Sequence, residues 1–315
     1  MKTSSQRLIA VGLNPVLQKT LIFERLNVGT VNRAKVQLTT VGGKSMHFAI
    51  AGNTVATGST TVAYFRGGTP GECIQRIVED HGLPHIAVEI PGNTRICTTL
   101  LCEATGDMTE LIEPSPEIDV ANYQTMQARV NEMLPDMDGI ALCGTWPPGV
   151  GSEFYAGIAA AKGNAVLLLD GYRDVEPTLE TGNVDILKIN VDELKDLFGG
   201  DTVSEAAERC FAKYAVQHLA ITDGPGDAYL WSGGQTWRYS LPAQTGLLNP
   251  IGAGDTVAAV LLVRLLQGKA IEEAFADGLA AATASCRHLT GATFEVAEIA
   301  ELRGEIDVTK NGDKT

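Results

Sequence analysis

Short apolar runs recur along the chain at 8–13, 61–65, 139–143, 165–169, 185–189 and 218–222. From residue 119 onward they alternate with segments of helical length, ending at about Leu134 and Lys162 and, after the last run, with long C-terminal helices. Continuous apolar strands separated by helix-length segments predict a mostly parallel sheet covered on both faces, an α/β class. A different pattern occupies 20–41 and 95–112, where apolar and polar residues alternate. Val36, Leu38 and Thr40 share one side of a strand, and 95–103 and 108–112 read as a hairpin turning at Gly106. These segments predict a small one-sided sheet set apart from the main one, and a sheet with one wet face suits a lid.

Two glycine turns open helices. Gly42-Gly43-Lys44 leads into an apolar helix through Phe48 and Ala51, and Asn249-Pro250-Ile251-Gly252-Ala253-Gly254-Asp255 leads into the run 256–263. Glycines let the backbone turn tightly and aim successive N–H groups one way, and the positive end of a helix adds to the attraction for an anion. Asp255 stands where that second helix begins. A carboxylate able to take a proton, beside donors able to stabilise negative charge, is what phosphoryl transfer to an alcohol requires. Asp255 also reads as an ordinary N-capping residue. Lys44 reads either as a contact for an anionic or hydroxyl-rich ligand or as a solvated lysine. Arg95 reads as a bidentate grip on a phosphate or carboxylate, or as an exposed strand-end arginine.

In a parallel sheet, ligands sit beyond the carboxyl ends of the strands. That rule gathers Thr145 in Gly144-Thr145-Trp146-Pro147-Pro148-Gly149, then Asp170, Asn190 with Glu193, and Asp223-Gly224-Pro225-Gly226 onto one rim. Trp146 reads as packing against its neighbours rather than as a pocket wall.

Composition narrows the partners. The 315 residues are 44% hydrophobic and 20% charged, enough for one large domain, expected over 1–315 with lid segments at about 14–41 and 93–113. A formal net charge of −14 without clustered lysine and arginine argues against nucleic acid. The chain shows neither a membrane-length apolar run nor a signal-like N-terminus, so a cytoplasmic protein is expected. Cys73, Cys97, Cys102, Cys143, Cys210 and Cys286 form no CxxC pair and read as free thiols. The polar tail at 305–315 is expected to be frayed.

Gly252-Ala253-Gly254-Asp255 before an apolar helix, Gly42-Gly43-Lys44 early in the chain, Lys188-Ile189-Asn190-Val191-Asp192-Glu193 between them and Pro147-Pro148-Gly149 after a central strand occur in the order and spacing of the ribokinase-like (PfkB) sugar kinases, which the whole chain resembles. It is most similar to the branch with 1-phosphofructokinase, tagatose-6-phosphate kinase and the minor 6-phosphofructokinase, on Gly12-Leu13-Asn14-Pro15, Val31-Asn32-Arg33, Thr94-Arg95-Ile96 and Ile112-Glu113-Pro114.

The resemblance implies a three-layer α/β/α sandwich with a small β-sheet lid, and an ATP- and Mg2+-dependent kinase for a phosphorylated ketohexose. Asp255 would be the base, with the amides of Gly252, Ala253 and Gly254 around the transferred group. Asn190 and Glu193 would hold magnesium through water. Lys188, Thr222, Gly224, Gly226 and Cys286 would line the nucleotide cleft. Asn14, Gln18, Arg33, Gly42, Gly43, Lys44, His47, Arg95 and Thr145 would face the sugar. A monovalent cation is a further expectation of this reading, and the unpaired edges of the one-sided lid sheet lead us to expect a homodimer through the lid. The departures fall in the acceptor pocket: Gln18 stands where the branch has Asp, Ser45 replaces a glycine and His47 replaces an asparagine. They leave two alternatives, a nucleotide-binding regulatory protein with a degraded sugar site, and a kinase of an unphosphorylated sugar or nucleoside.

Overall fold

The computed structural model describes residues 6–242, 246 and 248–311. Ten strands form the main sheet. In space they run β14 (Asp307–Asn311), β13 (Gln235–Ser240), β12 (Ala228–Ser232), β11 (His218–Thr222), β10 (Ile186–Asn190), β9 (Val166–Asp170), β8 (Gly139–Cys143), β1 (Leu8–Val11), β4 (Thr60–Arg66) and β5 (His85–Glu89). From β11 to β5 every pairing is parallel, as the apolar runs predict. The other three strands pair antiparallel at the far edge.

Alternation along the central strands sorts their side chains into two cores. Ile9, Val11, Ile140, Leu142, Leu167, Leu169, Leu187 and Ile189 pack on one face, beneath α3 (Val120–Met133), α4 (Glu153–Ala160), α6 (Val191–Phe198) and α7 (Val203–Lys213). Leu8, Ala10, Ala141, Cys143, Leu168, Ile186 and Ala220 pack on the other, beneath α1 (Lys44–Val55), α8 (Ala253–Leu266), α9 (Ile271–Ser285) and α10 (Val296–Arg303). A strand with apolar residues on both sides needs a helical layer on each, which gives three layers. Helix α8 is buried without a break from Asp255 to Val263. Only a helix apolar all round can occupy that place, and truncating one of its leucines to alanine would cost about 2–5 kcal/mol.

The second sheet has four strands in the order β3 (Val36–Gly42), β2 (Val16–Phe23), β6 (Ile96–Cys102) and β7 (Met108–Ile112). Strands β2 and β6 pair parallel, and the two hairpin pairings are antiparallel. One side is buried through Leu17, Val41 and the α1 residue Met46. Val36, Met108, Leu111 and Ile112 are exposed, and Ile112 borders a cavity under the sheet. This is the small one-sided sheet expected at 20–41 and 95–112.

Two strand assignments differ from expectation. Residues 307–311 are paired with β13 rather than frayed, because backbone hydrogen bonding at a sheet edge needs no apolar pattern; residues 312–315 lie outside the described ones. The β12–β13 hairpin turns through Gly233 and Gly234, whose φ angles of 56° and 74° suit a tight two-residue turn. Its glycine pair was the available signal.

The strand order reverses at β1, whose chain continues toward β4 on one side while β8 to β11 extend on the other. A crevice opens there beyond the carboxyl ends of the strands. Gly12 follows β1 and Gly144 follows β8, and both border the site described next.

Candidate active site

Two helix N-termini meet at the crevice. Helix α1 starts after Gly43, whose φ of 110° is reserved for glycine, and α8 starts after Gly252 in the left-handed region with φ 81°. The two helices pack side by side. Their first turns therefore touch, and His47 Nδ1 lies 2.8 Å from Asp255 Oδ2 with both side chains buried. Asn249 fixes the loop before α8: its Nδ2 donates to the Leu289 carbonyl at 2.9 Å and its Oδ1 accepts from the Ile251 amide at 3.0 Å. Burial opposes ionisation of Asp255. The hydrogen bond with His47 and the charges of His47, Lys44 and Lys188 outweigh it, so the carboxyl lies below the ordinary carboxylate range.

A second charged cluster adjoins the first. Strands β9 and β10 pair with Lys188 opposite Asp170, which puts both on the same face. Asp170 Oδ1 accepts from Lys44 Nζ at 2.6 Å, and Asp170 Oδ2 is 3.6 Å from Lys188 Nζ. Asp170 is 1% exposed and Lys188 3%, so a buried carboxylate is held by two cations. Burial pulls the Lys44 pKa down, but Asp170, Asp255 and Glu193 more than offset it and the ammonium is held charged well above the ordinary lysine range. Gly254 makes room for this cluster, since a Cβ there would stand 2.7 Å from Lys188 Nζ.

Three cavities meet around these groups. The largest, about 440 Å³, runs from Lys44, Lys188, Ala253, Gly254 and Asp255 past Asn190, Glu193, Thr222 and Gly224 to Ala282 and Cys286. A second, about 240 Å³, lies under the small sheet between Gln18, Gly43, Lys44, His47, Arg95, Glu110, Gly252 and Asp255. A third, about 190 Å³, is lined by Gly12, Asn14, Gly43, Lys44, Ser45, Arg95, Thr145 and Glu193. Lys44 borders all three, and Asp255 borders the first two.

Most of the residues singled out in the sequence thus converge, though several are already engaged. Asn190 caps α6: its Oδ1 accepts from the Glu193 amide at 2.8 Å, and Glu193 Oε2 accepts from the Asn190 amide at 3.1 Å. That leaves Glu193 Oε1 toward the cleft, 3.8 Å from Lys44 Nζ. The Ala253 amide donates to the Pro250 carbonyl at 3.2 Å. Arg95 Nη2 donates to the Asn14 carbonyl at 2.9 Å, and burial lowers the guanidinium's pKa. Gln18 Nε2 donates to Thr99 Oγ1 at 2.5 Å.

Three fall beside the cavities. Gly226 closes a turn by donating its amide to Asp223 at 2.7 Å. Gly42 ends β3, where a Cβ would collide with Val16 at 2.8 Å. Arg33 is exposed in the connection between β2 and β3, away from all three cavities. Trp146 packs edge-on against Tyr155 with ring centroids 5.3 Å apart, the packing role expected for it. Sequence reasoning passed over Glu110, whose place on the exposed strand β7 gave no sign that it faces a cavity, and gave Asp170 no partner.

The comparisons with known proteins bear on this arrangement. The description pfkB family carbohydrate kinase matches residues 15–296, nearly the whole described chain. The chain belongs to the pfkB family of carbohydrate kinases. As a pfkB kinase it is 30% identical over 264 residues to a 1-phosphofructokinase of Rhodobacter capsulatus, covering 81% of this chain and 83% of that one. It is 24% identical over 280 residues to a tagatose-6-phosphate kinase of Staphylococcus epidermidis, covering 84% and 87%. Solved pfkB-like structures share the fold. Phosphofructokinase-2 from Escherichia coli in complex with potassium superposes with a TM-score of 0.84 at 19% identity, over 95% of this chain and 98% of that one. Arabidopsis thaliana ribokinase complexed with ribose and ATP gives 0.74 at 19% identity, over 95% and 99%. The sandwich is therefore ribokinase-like, as the sequence motifs imply.

Proposed function

We propose that the protein transfers the γ-phosphoryl group of ATP to a hydroxyl of a phosphorylated ketohexose, of the fructose-1-phosphate, fructose-6-phosphate or tagatose-6-phosphate type. The observation that carries this reading is the position of Asp255, shared by a nucleotide-sized cavity and by a smaller one under the second sheet. A volume of about 440 Å³ suits a nucleotide, and its charged end lies at the N-terminus of α8.

The residues present fit ATP with magnesium. Among the described residues no three His, Cys, Asp or Glu side chains are grouped to hold a metal directly. Magnesium commonly keeps its waters and leans on one or two carboxylates and the phosphates, a role open to Glu193 Oε1 and to Asp170, whose buried Oδ2 has no hydrogen-bond partner. The metal would neutralise phosphate charge.

In this reading Asp255, ionised across the neutral range, accepts the proton of the acceptor hydroxyl as its oxygen attacks. The Gly252 and Gly254 amides and the Lys44 and Lys188 ammonium groups face the phosphoryl oxygens, where charge accumulates. Arg95 and Lys44 are the cations available to the acceptor's own phosphate. The small sheet, over 14–41 and 93–113, acts as a lid that excludes water, and its exposed outer face and free edges suit pairing with a second copy. The six free thiols fit a reducing compartment, the cytoplasm. A monovalent cation is an added activator, in keeping with the potassium complex of the Escherichia coli relative.

A second reading, an unphosphorylated acceptor, is favoured by the engagement of Arg95 with a backbone carbonyl, the place of Arg33 outside the cavity walls and the carboxylate of Glu110 in the acceptor cavity. One experiment separates the readings. Acceptor-stimulated ADP release is measured with ketohexose phosphates, the parent sugars and nucleosides. Stimulation by a ketohexose phosphate alone is expected; stimulation by a parent sugar or nucleoside alone moves the assignment to the second reading. No stimulation by any of them points to a nucleotide-binding protein without transfer.

A further inference from the structure

The imidazole of His47 occupies a slot made for it. A Cβ at position 252 would lie 3.0 Å from ring atoms Cγ and Nδ1, and one at position 291 would lie 3.2 Å from Nε2 and 2.7 Å from the Ile251 carbonyl. Glycine on both sides lets the ring reach Asp255 Oδ2 at 2.8 Å. The helix spacing does the rest, since both residues sit in the first turns of helices packed side by side. A side chain evolved only to touch a sugar would not need its inner nitrogen spent on the carboxylate behind it.

We propose that His47 is a positioning residue for the base: its Nδ1–H holds Oδ2 of Asp255 and turns the other carboxylate oxygen toward the acceptor hydroxyl. The inference rests on the kinase reading above. A carboxylate oxygen that accepts one fixed hydrogen bond leaves its partner oxygen as the proton acceptor in a single orientation. When the ring is neutral it donates one hydrogen bond.

The charges around the ring are few. Asp255 comes from α8, Lys44 from the same turn of α1, and Lys188 from β10 behind the carboxylate. Across the cavity stand Arg95 at the start of the lid hairpin, Cys97 on β6 and Glu110 on β7. Of the strands beneath α1, β1 and β3 carry no ionisable side chain, β8 carries only Cys143, and the Tyr64 and Arg66 of β4 do not line the cavity.

The test compares His47→Ala and His47→Asn with the unmutated kinase, using the acceptor that the panel selects and recording kcat and the nucleotide KM. His47→Ala is expected to lower kcat about ten- to hundredfold, less than the loss of the acid–base group itself, which is about 10²–10⁴-fold, while the nucleotide KM changes less than about twofold. His47→Asn, whose amide can still donate, is expected to recover much of kcat. An active enzyme whose kcat is untouched by His47→Ala, or is not recovered by His47→Asn, overturns the inference and leaves the kinase reading standing. A protein that phosphorylates no acceptor overturns both. Imidazole nitrogen shifts in the unmutated protein give a readout independent of folding in the variants. The Nδ1–H tautomer, lost in Asp255→Asn, supports the pairing, and the Nε2–H tautomer overturns it.

Discussion

Asp170 holds Lys44 by a 2.6 Å hydrogen bond at the point where all three cavities meet. The pair fixes one lysine where it borders all three cavities, because the carboxylate that anchors it is itself buried and also faces Lys188.

Asp170→Asn keeps the shape and removes the charge. Two ammonium groups then share a nearly dry site with less compensation, and breaking a buried pair typically costs about 3–5 kcal/mol. Lys44 is less buried than Lys188 and can turn to solvent, so a loss near the lower bound is expected in urea unfolding at neutral pH. Unchanged stability would mean that the cations are already compensated elsewhere.

Asp255→Asn removes the carboxylate proposed as the proton acceptor and leaves a side chain of the same size. The expected result is a loss of about 10²–10⁴-fold in kcat with nucleotide affinity nearly intact, measured by calorimetric titration beside steady-state rates. A parallel loss of nucleotide binding would make Asp255 a structural support for the α8 loop. Because its carboxyl lies below the ordinary range, the ionised form favours the folded state. That contribution is present above the carboxyl's unfolded value and is lost as pH falls through the lower folded value.

Arg95→Ala separates the two substrates. Arg95 lines both smaller cavities and not the large one, so the KM for a sugar phosphate should rise at least about tenfold while that for ATP stays within about twofold. Equal effects on both would place Arg95 among the residues that merely brace the Asn14 loop.

Tyr155→Phe tests the floor of the crevice. The hydroxyl lies 3.0 Å from the Val11 carbonyl and 2.9 Å from that of Cys143, the last residues of β1 and β8. It links the two strand ends from which Gly12 and Gly144 depart. Losing a donor to buried carbonyls should lower the unfolding free energy by about 1–3 kcal/mol in a denaturant titration.

What could be read in the chain follows from what is local. The loop before α8 is set by glycine conformation and by the apolar run behind it, and both are written in consecutive residues. The parallel strands announce themselves as apolar on both faces. His47 was legible as a departure from the family pattern, yet its partner lies 208 positions away and becomes visible only when α1 packs on α8. Gln18 looked like a simple sugar contact, and the structure also binds its amide to Thr99 inside the small sheet. Arg33 matched a motif, and the structure places it on the exposed β2–β3 connection, outside the walls of the three cavities. Strand β14 escaped notice because DVTKN has no apolar pattern and gains its place from backbone pairing with β13, with Lys310 over the Trp237 ring.

The wall common to the two larger cavities has a use in inhibitor chemistry. Among the described residues only Lys44 and Asp255 line both chambers, so a compound joining a nucleotide-like half to a polyol half across that narrow divide would meet its second chamber at an effective concentration set by the linker rather than by dosing. Such a tethered ligand would bind far more tightly than either fragment, and its best linker length would measure the gap over which the phosphoryl group travels.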